Sequence, residues 1–188
     1  MSGSPQTLSL EDRRVVAWWA ADCAASVLAI FEDASPDDSR VRAAIDQTRA
    51  FARGGVAVAD AVRRRGGAAG AGAREAPTPA ATAAAYSAEQ AAAVAHMGAH
   101  ALGAAGYAVK ARILARESPD GQGADVEVLA EVQKQVELMS PDVANALSLL
   151  PALGTDGAGP LAEGRLNKGV VGEAIRALQA AVNGRTRP

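Results

Sequence analysis

Residues 9–33 read SLEDRRVVAWWAADCAASVLAIFED, and this stretch decides the fold. Ser9 suits a helix N-cap, and Asp12 stands three residues on, where a capping-box partner belongs. Val16, Trp19, Cys23, Val27 and Ile30 then recur at the spacing of one helix face. The expectation is one helix from about Leu10 to Asp33, buried along that stripe. A signal-peptide reading fails because Glu11 and Asp12 precede Arg13-Arg14, Asp22 interrupts the apolar run, and no Ala-x-Ala site follows. The run is also too short to span a bilayer. A cytoplasmic protein with no membrane partner is therefore expected.

The same grammar runs outward. Ser35-Pro36-Asp37-Asp38 punctuates, and a second helix from Pro36 to Arg53 would bury Val41, Ile45, Thr48 and Ala52. Gly54-Gly55 ends it, and Val56–Arg65 reads as a third. Gly66 to Gly72 is poor helix material, loose unless packed. Ala80–Arg116 reads as one long central helix, closed by Ser118-Pro119-Asp120-Gly121 and a flexible link to Ala124. Asp125–Met139 carries a stripe of Leu129, Val132, Val136 and Met139. Ser140-Pro141 is an N-cap with Pro at the first helical position, opening a short helix holding Val143, Leu147 and Leu150. A Gly-rich loop over residues 154–164 precedes a last helix with Val171, Ile175, Leu178 and Val182 on one face. The result is an all-α bundle of six to seven helices, with residues 1–8 a disordered tail and 9–188 a single domain.

Composition agrees. Of 188 residues, 49% are hydrophobic but only 3% aromatic. The excess is Ala, the best helix former, so the core relies on small side chains with Trp18, Trp19, Phe31, Phe51, Tyr86 and Tyr107 as anchors. A net charge of −2 is no platform for nucleic acid. A lone Cys23 rules out an internal disulfide and a multi-Cys zinc site. Arg63-Arg64-Arg65 is too isolated to bind nucleic acid, and no phosphate-loop motif is present.

The stretch richest in chemistry is His96-Met97-Gly98-Ala99-His100, the only histidines, at i and i+4. On a continuous helix they share a face and could chelate a divalent metal with a carboxylate such as Asp22. The zinc-protease Glu is absent, since Met97 follows His96. No other cofactor is expected. The face continues through Gly103, Tyr107 and Lys110, so His96, His100, Tyr107 and Asp22 are the candidate acid–base groups if the protein is an enzyme. Cys23 lies on the core stripe and reads as an inert thiol, and Asp22 as one half of an ion pair. Arg40 and Arg42, near a helix start, imply carboxylate partners or a bound anion; with Lys110 they are the candidate ligand-binding residues.

Several spaced segments carry a resemblance. They are Asp22-Cys23-Ala24, Phe31-Glu32, Pro36-Asp37-Asp38-Ser39-Arg40-Val41-Arg42, Ile45-Asp46, Arg49-Ala50-Phe51, Ala73-Arg74-Glu75-Ala76, and Ala95-His96 through Tyr107 to Lys110-Ala111. Over residues 10–116 the chain resembles the bacterial immunity proteins with an immunity protein 5-like domain. The resemblance makes 9–116 a family-like core and 125–183 the C-terminal helices. It implies a helical protein that binds and neutralises a toxin, and it carries over Asp22, Cys23, Arg40, Arg42, His96, His100, Tyr107 and Lys110. Some relatives bear an exonuclease label, but no clustered acidic metal site stands in this sequence. Val41 replaces a Pro of the relatives, and the stretch near Gly70 lacks their His. The alternative is a small-molecule binder or enzyme of specialised metabolism or self-resistance, built on a His/Asp/Arg pocket. Small-residue faces would also suit a homo-oligomer.

Overall fold

The computed structural model describes residues 4–64, 67–116 and 124–186. The chain is all-α. The helices are α1 (Leu10–Ala25), α2 (Leu28–Ala34), α3 (Arg40–Ala52), α4 (Val58–Arg64), α5 (Gly67–Glu75), α6 (Pro79–Ala93), α7 (His100–Ala115), α8 (Ala124–Glu137), α9 (Pro141–Ser148) and α10 (Gly169–Thr186). Short 3-10 turns cover Pro5–Thr7 and Arg165–Asn167. Among the described residues no strand forms, only one isolated bridge between Asp156 and Ala162. Arg65, Gly66 and the Ser118-Pro119-Asp120-Gly121 link lie outside the described residues.

The antiparallel pair α6 and α7 forms the centre, with α1, α2, α3 and α5 against α6 and with α8 and α10 against α7. Ala supplies most of the seam: nine of the α6 alanines, from Ala80 to Ala93, are buried. Ser87 is buried among them because its Oγ donates to the carbonyl of Ala104 at 2.7 Å. Trp19, Phe31 and Phe51 are fully buried anchors, each stabilising by roughly 1.5–3 kcal/mol. Trp19 Nε1 donates to the carbonyl of Gln135 at 2.9 Å, tying α1 to α8. Trp18, expected as an anchor, is 39% exposed, with the Arg53 guanidinium 5.6 Å from its ring centroid.

The helices outnumber the six or seven expected because two long ones are broken and the Gly-rich run adds another. At Ser26-Val27 the first helix ends, where Ser26 Oγ donates to the carbonyl of Cys23 at 2.7 Å and Arg112 of α7 reaches the Ser26 carbonyl. The expected central helix breaks over residues 94–99. There the amides of Gly98 and Ala99 donate to the carbonyls of Thr7 and Gln6, at 3.1 and 3.0 Å. A Cβ on residue 98 would lie 2.5 Å from Leu8 Cδ1, so Gly98 is the residue that lets Leu8 sit on the corner.

Residues 4–8, read as part of a disordered tail, are therefore a packed element. Ser4 caps the turn. Gln6 is fully buried: its Nε2 donates to Asp156 Oδ2 (2.8 Å) and to the carbonyl of Ala158 (2.6 Å), and its Oε1 accepts from the Leu161 amide (2.9 Å). One segment thus clasps both the α6–α7 corner and the Gly-rich loop.

Two further expectations change. The Gly-rich run forms α5, because Ala69 and Ala73 are buried and Gly70 faces Glu89 so closely that a Cβ would lie 2.4 Å from Oε1. Leu129 is 59% exposed; Val128 occupies the buried stripe with Val132, Val136 and Met139. The stripes of α3 and α10 and the Ser9 and Ser140 caps stand as expected. No single helix is long and apolar enough to cross a membrane; α1 and α2 pass that test only jointly, across a bend of 43°.

Candidate functional site

The break at residues 94–99 separates the two histidines. His96 sits exposed in the corner, and His100 is the first residue of α7. They do not share a continuous helix face. His100 is half-buried and its Nδ1 donates to Gln90 Oε1 of α6 at 2.8 Å. The Gln90 side chain also fills the space over Gly103, where a Cβ would lie 2.5 Å from Oε1. The gap in the polar face is thus occupied by α6 itself. Among the described residues, no three His, Cys, Asp or Glu side chains come together in a metal-binding group.

Asp22 projects from α1 to Arg49 of α3, with Oδ1 and Nη2 3.1 Å apart across a partly exposed surface. Cys23 beside it is fully buried; burial, and then the Asp22 charge, push its thiol well above the ordinary cysteine range. Both effects favour the neutral thiol over the reactive thiolate.

Arg40 and Arg42 both find carboxylates. Arg40 forks onto Asp38, Nε to Oδ1 at 2.9 Å and Nη2 to Oδ2 at 2.6 Å, and its Nη2 reaches Glu75 Oε2 of α5 at 2.5 Å. Asp38 also accepts from the Arg40 amide at 3.0 Å. The Arg40 guanidinium holds both carboxyls below the usual carboxylate range, chiefly by hydrogen bonding, and is itself raised by them. Arg42 grips Glu32 of α2 through two bonds of 2.7 and 2.6 Å. These pairs tie α2, α3 and α5 together and use the arginines' charge within the fold.

Tyr107 and Lys110 stand elsewhere. Lys110 is ten residues beyond His100 on α7, about 15 Å along the axis. Tyr107 is buried, its ring centroid 5.3 Å from that of Tyr86 on α6 at an interplanar angle of 38°. Around this pair lies an open groove of about 290 Å³, with Pro79, Thr82 and Ala83 on one wall and Lys110 and Leu114 on the other. A second, more enclosed cavity between α3, α4 and α6, beside Thr48, Phe51 and Ala91, is only about 30 Å³, room for a water or two.

The residues expected to converge thus fall into three places: the α6–α7 corner, the α1–α2–α3–α5 ion pairs, and the groove at the far end of α6 and α7. Sequence reasoning had Tyr86 only as a core anchor and passed over Leu114, because neither carries a signal until α6 and α7 are paired. It also missed Gln90, which lies in an Ala-rich run with no charge pattern to mark it.

Across residues 6–142 the chain matches the family described as Imm-5 like putative immunity protein. That span runs from the buried Gln6 through α8 into the first turn of α9, wider than the 10–116 resemblance. No curated protein and no solved structure matches the chain. With most of its length under the family's model, including the ion-paired helices and the groove, the chain belongs to the Imm-5 like putative immunity protein family.

Proposed function

We propose that this protein acts as an immunity protein, binding a toxin and blocking it by forming a complex. The observation that carries this reading is the family match over residues 6–142. The placement of the charged residues supports it. Asp22, Arg40 and Arg42 serve the fold as ion pairs with Arg49, Asp38, Glu75 and Glu32. The small-molecule or enzyme reading has less behind it, since it draws on His96, His100, Asp22 and Arg40 lining one pocket.

The test is neutralisation. The chain is co-expressed with a panel of polymorphic-toxin domains, growth is scored, and each rescuing pair is purified and titrated calorimetrically. Rescue accompanied by a stoichiometric complex is expected for at least one toxin. Rescue without a complex, or an organic molecule retained by the purified protein and turned over, would replace the binding reading by an enzymatic one.

A further inference from the structure

The groove at the open end of α6 and α7 brings two aromatic rings, a lysine and a leucine together. Its floor is the tilted Tyr86–Tyr107 pair, and its rim carries Leu114, 42% exposed. Lys110, half-buried on the α7 wall, forms no ion pair among the described residues. The next cationic residues along the chain are engaged: Arg112 of α7 donates to the Ser26 carbonyl, and Arg116, just after α7, to Glu131. Lys110 lines the same groove as the two rings, so a segment carrying an apolar side chain and a carboxylate would meet aromatic surface and a complementary charge together. Aromatic pockets of this kind are where interface hot spots gather. The volume, about 290 Å³, lies at or below the lower limit of roughly 300 Å³ for small-molecule sites. It suits one large apolar side chain and its flanks.

We propose that this groove is the docking site for a partner-protein segment that places an apolar side chain against Tyr86 and Tyr107 and an adjacent carboxylate on Lys110. This rests on the partner-binding reading above and names the chemistry of the partner's segment. The partner is thereby acidic at the point of contact, although this chain is itself slightly acidic overall. Leu114 closes the rim against water around the ion pair.

The test uses peptides and so needs no toxin in hand. Acetyl-Leu-Asp-Phe-amide, its Asn and Lys counterparts, and 3-phenylpropionate are titrated into the full-length protein and followed by amide and side-chain NMR. The Asp peptide is expected to shift resonances of Tyr86, Tyr107, Lys110 and Leu114. The Asn and Lys peptides are expected to bind at least about tenfold more weakly. Lys110→Glu should abolish the preference for Asp and Lys110→Arg should keep it, with circular dichroism showing both folded. Three results overturn the proposal: no shifts in the groove, equal shifts with all three peptides, or 3-phenylpropionate binding as well as the Asp peptide, which would make the groove a small-molecule site. Silent peptides would remove the groove assignment and leave neutralisation standing. A toxin panel without rescue would remove the immunity reading while the peptide titration still decides the groove.

Discussion

Replacing Gln6 by Ala would cut three hydrogen bonds at once. Its Nε2 serves Asp156 and the Ala158 carbonyl, and its Oε1 receives the Leu161 amide, all from a side chain with no exposed surface. A neutral hydrogen bond contributes about 1 kcal/mol net, one to a carboxylate about twice that, and a buried amide left unpaired costs a further 1–3 kcal/mol. Asp156 can turn to water, so the bonds do not add fully, and a loss of about 3 kcal/mol is expected. At roughly 2–4 °C per kcal/mol for a chain of this size, the Tm should fall by about 6–12 °C. Hydrogen exchange then identifies the mechanism. The amides of Leu161, Gly98 and Ala99 should lose protection together, because the same segment holds the loop and, through its own carbonyls, the α6–α7 corner. A Tm change under about 2 °C with unchanged protection at those three amides would refute the clasp.

Other consequences are equally direct. Arg40→Gln should let Asp38 and Glu75 titrate nearer the ordinary carboxylate range, visible by carbon-detected NMR. Both titrate lower when folded than when unfolded, so they stabilise the protein above the ordinary carboxylate range and that contribution is lost as pH falls through the lowered values. The wild type and variant should therefore differ at neutral pH and converge in acid. Cys23 should resist a thiol reagent in the native protein and react fully once denatured, given its burial and raised thiol; fast native labelling would contradict the packing of α1. Glu131 is fully buried between the half-exposed Arg116 and Lys134, and its Oε2 has no hydrogen-bond partner. Glu131→Met should cost nothing in urea denaturation and can gain about 1 kcal/mol or more, whereas a loss above about 1 kcal/mol would show that the ion pairs hold α8 in place.

What the sequence made legible was what is encoded locally. The Ser140-Pro141 cap and the Val171, Ile175, Leu178, Val182 stripe need only neighbouring residues to declare themselves, and both appear as read. The break between His96 and His100 does not, because it is imposed by Gln6, Thr7 and Leu8 from the far end of the sequence. Ala-rich helix propensity runs straight through residues 94–99 when that contact is unknown. The same blindness hid α5, where packing of Ala69 and Ala73 overrides the glycines. On α8, the neighbouring Val128 and Leu129 are both apolar, so composition did not show which faces inward. In the candidate site, Tyr107 and Lys110 stood out by spacing, but their partners on α6 emerge only from the antiparallel pairing.

The clasp also orders events in time. The Gln6–Leu161 bond joins residues 155 apart, so the loop can lock the segment only after the helices between them have been made. Contacts this distant in sequence form slowly and late. A bulky fusion placed directly ahead of Ser4 should therefore disturb the corner more than one appended after α10.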